Sequence, residues 1–327
     1  MYLRAAVLPT VAIFALGAAM CATPAMAGDD GHFERTLNVS GAVDLDVQTG
    51  SGEITVRTGD SSKVEIHGKI HVNRGWGNSE VAKQIQEIEA NPPVEQNGNM
   101  IRVGHIENHD RKNNISISYE IVVPAQAKVK AQSGSGDETI DGVTGTVDAN
   151  SGSGGLKLTH IGSEVHARTG SGDIELTDIH GTAQATAGSG SIRAEGVAGG
   201  FTASSGSGDV RLHETAPGDV EIGTGSGEVT VKGANGAVKV QTGSGGVTVD
   251  GNPAGEWRLR TGSGDVAVVL PPTASFNLVA HTGSGSIDST HTIAVQGKIS
   301  PRSLEGKVGN GGPTVELSTS SGSIQIH

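Results

Sequence analysis

The sequence has 327 residues, 51 of them glycine, with 2% aromatic residues and a formal net charge of −12 at pH 7. So few aromatic residues argue against ordinary compact domains, whose cores rely on the large areas that Phe, Tyr and Trp bury. The acidic balance disfavours nucleic acid and anionic lipid as partners, because both need clustered Lys and Arg.

Residues 1–27 have the pattern of an export signal. Arg4 precedes an apolar run, and Ala-Met-Ala at 25–27 forms the small-x-small site that signal peptidase cleaves. A lipoprotein signal ending at Cys21, the single cysteine, is the alternative, and bulky Met20 before it disfavours that reading. We therefore expect an exported protein in the periplasm, at the cell surface or outside the cell, with no membrane span in the mature chain.

Two N-terminal segments precede the regular part of the chain. Residues 28–72 alternate apolar and polar side chains, which predicts strands forming the first coils of a repeat structure. Residues 73–118 are interpreted as an insertion that caps them. Within it, apolar spacing predicts a helix over 79–90, and 94–103 is predicted to be a hairpin around Asn97-Gly98.

Residues 119–327 carry an internal repeat whose marker is Gly-Ser-Gly. A flexible linker would not keep a regular spacing, whereas most successive copies here are 18 residues apart and the others 19 or 21. The first glycines of the nine copies are Gly134, Gly152, Gly170, Gly188, Gly206, Gly225, Gly243, Gly262 and Gly283.

Strict apolar alternation on both sides of each copy indicates strand, tight turn, strand and second corner. One repeat cannot bury its own apolar row, so neighbouring repeats must stack. The predicted fold is all-β, a right-handed parallel β-solenoid with coils of about 18 residues, roughly ten coils and about 50 Å long. We expect Ile161, Ile179 and Val197 to fill the second corner, and 315–317 and 324–326 to be the closing strands.

Three positions near the corner stand out. The residue before each motif is almost always Ser or Thr, and we expect it to point inward and satisfy turn backbone groups. Acids after the motif seldom occupy neighbouring coils, as expected if stacked charges repel. Glu138 falls where Ile174 and Val210 point inward. A bulge or a more open coil is the favoured explanation, and a functional carboxylate is the alternative.

No catalytic, cofactor-binding or metal-binding residue is predicted. His67 and His71 lie about 13 Å apart on one strand face, too far to share an ion. Calcium in the turns is an alternative, disfavoured because the acid is missing from many coils. Trp257 has an inward register position and is expected in the core.

The nearest approach to a surface patch is a set of outward cations predicted on one sheet. The more conservative interpretation is a solvated face. These residues are Arg168, Lys239, Arg258 and Arg260.

The order of several short motifs resembles a bacterial family of β-strand-repeat domains labelled putative adhesin, also called toast-rack domains. The motifs are Ile121-Val122-Val123-Pro124, Ser133-Gly134-Ser135-Gly136-Asp137, Thr169-Gly170-Ser171-Gly172-Asp173-Ile174, Leu270-Pro271 and Leu304-Glu305-Gly306. The resemblance covers roughly residues 36–327. It implies an envelope protein, in some relatives linked to stress systems, and no established site residues.

Three functions follow from these expectations. The first is a non-catalytic, adhesin-like scaffold of the cell envelope that binds an unknown surface protein or glycan. The second is a periplasmic domain associated with envelope stress or a sensor. The third, a polysaccharide-active enzyme on a β-helix, lacks an acidic cluster among the outward strand positions.

Overall fold

The computed structural model describes residues 31–72, 79–105, 115–295 and 300–327. The export signal predicted at 1–27, with Cys21, lies outside these residues. Among them, strands predominate and the only helix is too short to cross a membrane.

The N-terminal part combines strands with the predicted helix. Its elements are β1 (Gly31–Asn38), β2 (Asp44–Thr49), β3 (Ile54–Thr58), β4 (Lys63–Val72), α1 (Ser79–Ala90), β5 (Val94–Asn97), β6 (Met100–Val103) and β7 (Ile115–Val123). The helix is confirmed, and β5 and β6 form an antiparallel hairpin in which Gly98 has a φ of +61°. Strand β7 runs through residue 118, so the insertion and the solenoid share a strand.

Sixteen strands follow, two for each coil. They are β8 (Lys128–Ser133), β9 (Glu138–Asp141), β10 (Val147–Ser151), β11 (Leu156–Ile161), β12 (Val165–Thr169), β13 (Ile174–Ile179), β14 (Ala183–Ala187), β15 (Ile192–Val197), β16 (Phe201–Ser205), β17 (Val210–Glu214), β18 (Val220–Thr224), β19 (Val229–Ala234), β20 (Val238–Ser244), β21 (Val247–Gly251), β22 (Trp257–Ser263) and β23 (Val266–Val269).

These strands stack in two parallel sheets. Odd-numbered strands belong to a 14-stranded sheet, sheet A, and even-numbered strands to a 15-stranded sheet, sheet B. Equivalent residues pair directly, as Val147 does with Val165 in the next coil. The inward rows from both sheets form one aliphatic core that includes Trp257 and the corner residues Ile161, Ile179 and Val197. The parallel β-solenoid is confirmed.

The N-terminal end departs from simple stacking. Strands β2 and β3 form a coil, because β2 pairs parallel to β8 and β3 parallel to β9. Strand β4 instead runs antiparallel to both β1 and β7. The expectation that residues 28–72 form the first coils is therefore met by β2 and β3, but not by β1 and β4, which pair antiparallel. The antiparallel strands β4 and β1 cover the edge that the parallel strands of sheet A leave open at this end.

The C-terminal end changes the stacking order. Its strands are β24 (Phe276–Ser284), β25 (Ile287–Ser289), β26 (Ile293–Val295), β27 (Ser303–Val308), β28 (Thr314–Ser321) and β29 (Ile324–Ile326). Strand β28 lies between β22 and β24, and β29 lies between β23 and β25. The expected closing strands are thus inserted one coil before the end. Antiparallel β26 and β27 lie outside β24 instead.

Candidate functional site

The Gly-Ser-Gly corners carry a buried hydroxyl column, as predicted. Thr169 donates its hydroxyl hydrogen to the Gly154 carbonyl at 2.9 Å and accepts the Gly172 N–H at 3.1 Å. Ser151 and Ser205 make the same pair of bonds in their own coils. Each hydroxyl therefore links two coils and closes a turn. This column is structural.

The four aspartates after the corners have a role that the sequence did not reveal. Each accepts a hydrogen bond at 2.7–2.9 Å from the backbone N–H of the equivalent residue in the adjacent coil. Charge repulsion alone therefore does not account for this column, because the carboxylates also satisfy backbone donors. The only sequence signal was the recurrence of aspartate at one register position. The four acids are Asp137, Asp173, Asp209 and Asp265.

The cations proposed as a patch lie on the outer face of sheet B, where carboxylates neutralise them. Lys239 Nζ is 2.6 Å from Glu221 Oε1. Arg260 Nη2 and Arg258 Nε lie 2.6 Å and 3.0 Å from the two carboxylate oxygens of Glu316. The hydrogen bond from Arg260, and to a smaller extent the one from Arg258, holds the pKa of Glu316 below its usual value. The face carries a network of ion pairs rather than a basic patch.

Arg168 does not belong to this group. It lies on β12, and β14, β16 and β18 separate that strand from β20. Around Lys239 and Arg258 the outer face forms a shallow depression of about 300 Å³. Its polar lining consists of Thr202 and charged side chains of both signs, namely Asp219, Glu221, Lys239, Glu256 and Arg258.

Several histidines lie close to carboxylates. His160 Nδ1 is 2.8 Å from Asp141 Oδ1, and its Nε2 is 3.5 Å from Asp178 Oδ2 in the adjacent coil. The hydrogen bond to Asp141 is the main reason that the pKa of His160 is raised. His67 lies 3.3 Å from Glu34. Across the described ranges, no group of three or more His, Cys, Asp or Glu side chains could hold a metal ion.

Glu138 is a fully buried carboxyl group within a regular ladder. It pairs in register with Ile54 on one side and Leu156 on the other, so the expected bulge or open coil is wrong. Its side chain is 0% exposed, and neither carboxylate oxygen has a hydrogen-bond partner in the described part of the chain. Burial raises the pKa of Glu138 to about 7.

Glu214 is a second carboxyl group of this kind, which the sequence interpretation missed. It pairs with Val197 and so occupies the corner position that Ile161 and Ile179 fill in earlier coils. It is 3% exposed, and its carboxylate oxygens likewise lack a partner among the residues described. Burial raises the pKa of Glu214 to about 7. The sequence did contain a signal, because Glu214 continues the alternating inward positions of Val210 and Leu212.

A cleft of about 250 Å³ lies where α1 meets β7 at the N-terminal end. Ile88, Ile117 and Tyr119 supply apolar walls, and His105 contributes a polar edge. His105 Nε2 is 3.4 Å from Asp46 Oδ1. None of these residues had been singled out as a site residue from the sequence.

Comparison with known proteins gives one family and several distant structures. The family model Toastrack DUF4097 matches residues 29–216 and 182–327. Together the two matches cover nearly all of the chain. No curated protein matches it.

The similar solved structures include a putative adhesin from Bacteroides fragilis, 13% identical, covering 90% of this chain and 97% of its own, with a TM-score of 0.31. A putative adhesin from Parabacteroides merdae is 9% identical, covers 92% and 98%, and has a TM-score of 0.32. A putative lipid binding protein from Parabacteroides distasonis is 11% identical, covers 91% and 97%, and has a TM-score of 0.31. These values are too low to transfer a function.

Proposed function

This chain belongs to the Toastrack DUF4097 family, and we propose that it is a non-catalytic, exported protein of the cell envelope with an adhesin-like role. In this role the outer face of sheet B binds a surface protein or glycan. The observation that carries the proposal is the depression around Lys239 and Arg258, which sets cations and carboxylates side by side on a rigid sheet.

A rigid, polar face suits recognition of this kind. Strands β18, β20 and β22 are held in register by parallel ladders, so their outward side chains keep fixed spacings without any partner. Charged groups of both signs give orientation and specificity in an interface more than they give affinity. A partner with complementary charges or many hydroxyl groups would match this surface.

The use of the polar side chains supports a non-catalytic role. Corner hydroxyls such as Thr169 bond to the backbone, and turn acids such as Asp173 accept backbone N–H groups. Glu138 and Glu214 are sealed from solvent, so a substrate could not reach their carboxyl groups. Export is supported by the signal pattern at 1–27, and cleavage after Ala27 predicts that protein recovered from the envelope begins at Gly28.

The test is binding of the purified chain 28–327 to envelope fractions of the source cells. We expect the double variant Lys239→Glu, Arg258→Glu to bind at least about tenfold more weakly, a loss of about 1.4 kcal/mol, because it reverses both cations of the depression. The matched control is Lys157→Glu, Arg193→Glu on the outer face of sheet A.

Equal binding by all three proteins would rule out the outer face of sheet B as the interaction surface. Shortening of envelope polysaccharides during the incubation would contradict the non-catalytic role. Exposed ion pairs add little stability, so we expect the double variant to remain folded, and circular dichroism checks this directly.

A further inference from the structure

We propose that Glu138 and Glu214 make the solenoid responsive to pH. When both interior carboxyl groups are protonated the solenoid is tightly packed, and when they ionise it loosens at the two coils that contain them. The proposal is independent of any binding role. It rests on the position of two acids in columns that are otherwise aliphatic.

The surroundings of Glu138 stabilise a negative charge too weakly to offset its burial. The inward residues of the neighbouring strands β3 and β11 are aliphatic, and those of β8 and β10 are aliphatic or serine. None of them is ionisable. The one charged group that acts on Glu138 is Asp148, which opposes ionisation. Backbone groups at Ser133 and Asn150 favour the charged form but do not offset burial.

Glu214 is in the same situation at the second corner. The inward residues of β15 and β19, on either side of it, are aliphatic. Those of β16 and β18 in sheet B are Phe201, aliphatic residues and corner hydroxyls. Asp219 is the charged group that acts on it and, like Asp148, disfavours the carboxylate. The backbone of Asn235 compensates only in part.

The direction of the pH effect follows from the pKa values. Each pKa rises from an ordinary value of 4.5 in the unfolded chain to about 7 in the folded protein. Below pH 4.5 both states are protonated and ionisation costs nothing. Between pH 4.5 and 7 the folded state holds its proton more tightly, so stability falls as pH rises, and above pH 7 the loss is complete. Each carboxyl lowers the folded-to-unfolded ratio by a factor on the order of a hundred.

The loosening is expected to be local. Each coil contacts only its neighbours, so a charge buried in one coil strains that coil and the two beside it. For Glu138 these include β3 and β11, and for Glu214 they include β15 and β19. Solvation of a buried carboxylate by backbone groups and water costs the least free energy when the hydrogen-bonded strands around it separate locally.

The first measurement is the titration of the glutamate side-chain carboxyl carbons by ¹³C NMR on the chain 28–327. The variants Glu138→Gln and Glu214→Gln identify the two signals by their disappearance. We expect both to titrate near pH 7, well above the ordinary glutamate value of 4.5. Titration of both signals below pH 5 would overturn the proposal.

The second measurement is denaturant unfolding at pH 5.5 and pH 8.5. We expect the wild type to be less stable at pH 8.5. The double variant Glu138→Gln, Glu214→Gln should lose most of that difference in stability. Glu138→Leu, whose side chain matches Ile54 and Leu156, should unfold at a higher denaturant concentration than the wild type at pH 8.5. The control Glu195→Gln, at an exposed position of β15, should retain the full difference.

A wild type equally stable at the two pH values would refute the proposal. So would Gln variants that are destabilised equally at both, because that result would mean that the carboxyl groups form necessary hydrogen bonds. Failure of both Glu138→Gln and Glu138→Leu to fold would count against it for the same reason.

Discussion

At the scale of single residues, the Gly-Ser-Gly corner can form only because glycine has no side chain. A side chain at Gly154 would overlap the Gly136 carbonyl of the preceding coil. At its neighbour Gly155 an added Cβ would be 3.5 Å from the nearest atom, the Asp173 carbonyl oxygen, which is an ordinary van der Waals contact. Gly154 therefore has to be glycine because two backbones approach closely there, whereas Gly155 has room for a methyl group.

We therefore predict that Gly154→Ala destabilises the protein by several kcal/mol, because neither backbone can move without breaking the ladder. Gly155→Ala is expected to change the free energy of unfolding by less than about 0.5 kcal/mol. Denaturant unfolding of the two variants checks this, and equal losses would mean that the corner backbone is free to shift.

The inward columns could be predicted residue by residue, while the two buried acids could not. Alternation places Glu138 on the inward face, but the cost of burying a carboxylate favours a bulge. Only the continuous register with Ile54 and Leu156 shows that the carboxyl stays inside. Its raised pKa, which keeps the group neutral in acid, makes that position tolerable.

At the scale of elements, insertion of β28 and β29 is the main departure from the sequence order. Strand β24 presents Leu278, Ala280 and Thr282 at the positions where β28 presents Val315, Leu317 and Thr319. Either strand would match Trp257, Leu259 and Thr261 of β22. The pattern along each strand therefore does not decide which of the two is the neighbour.

Disulfide trapping tests this stacking order in a background with Cys21 removed. Arg258 pairs with Glu316 across β22 and β28, so the variant Arg258→Cys, Glu316→Cys should form a disulfide within one chain on mild oxidation. Arg258 and Val279 are separated by β28, and the matched pair Arg258→Cys, Val279→Cys should stay reduced. The reverse pattern, read by mass spectrometry, would show that coils stack in chain order.

At the scale of the whole molecule, the structure is a row of coils with one narrow core and different caps at its ends. Within its sheet, each interior strand of the described coils pairs with one strand on either side. Stability is therefore close to a sum of coil and interface contributions, and damage in the middle should leave the two ends partly independent.

Ala185→Asp is predicted to place an unpaired charge in the core at β14, where Ala185 is 0% exposed. We expect faster amide hydrogen exchange in β12, β14 and β16, with protection retained in β4 and β24. The control Gln184→Asp, outward on the same strand, should leave exchange unchanged. Loss of protection throughout the chain would show instead that the solenoid unfolds as one cooperative unit.

By itself the sequence determined the coil length, the inward columns and the hydroxyl corners, because each follows from a local rule repeated every 18 or 19 residues. The tertiary structure alone decided the order of the last coils, the antiparallel caps and the hydrogen bonds of the turn acids. The physical reason is that equivalent strands offer nearly identical edges. Which edges pair depends on the lengths of the connecting segments and on the need to cover the open sheet edges at both ends. No single segment of the sequence encodes both conditions.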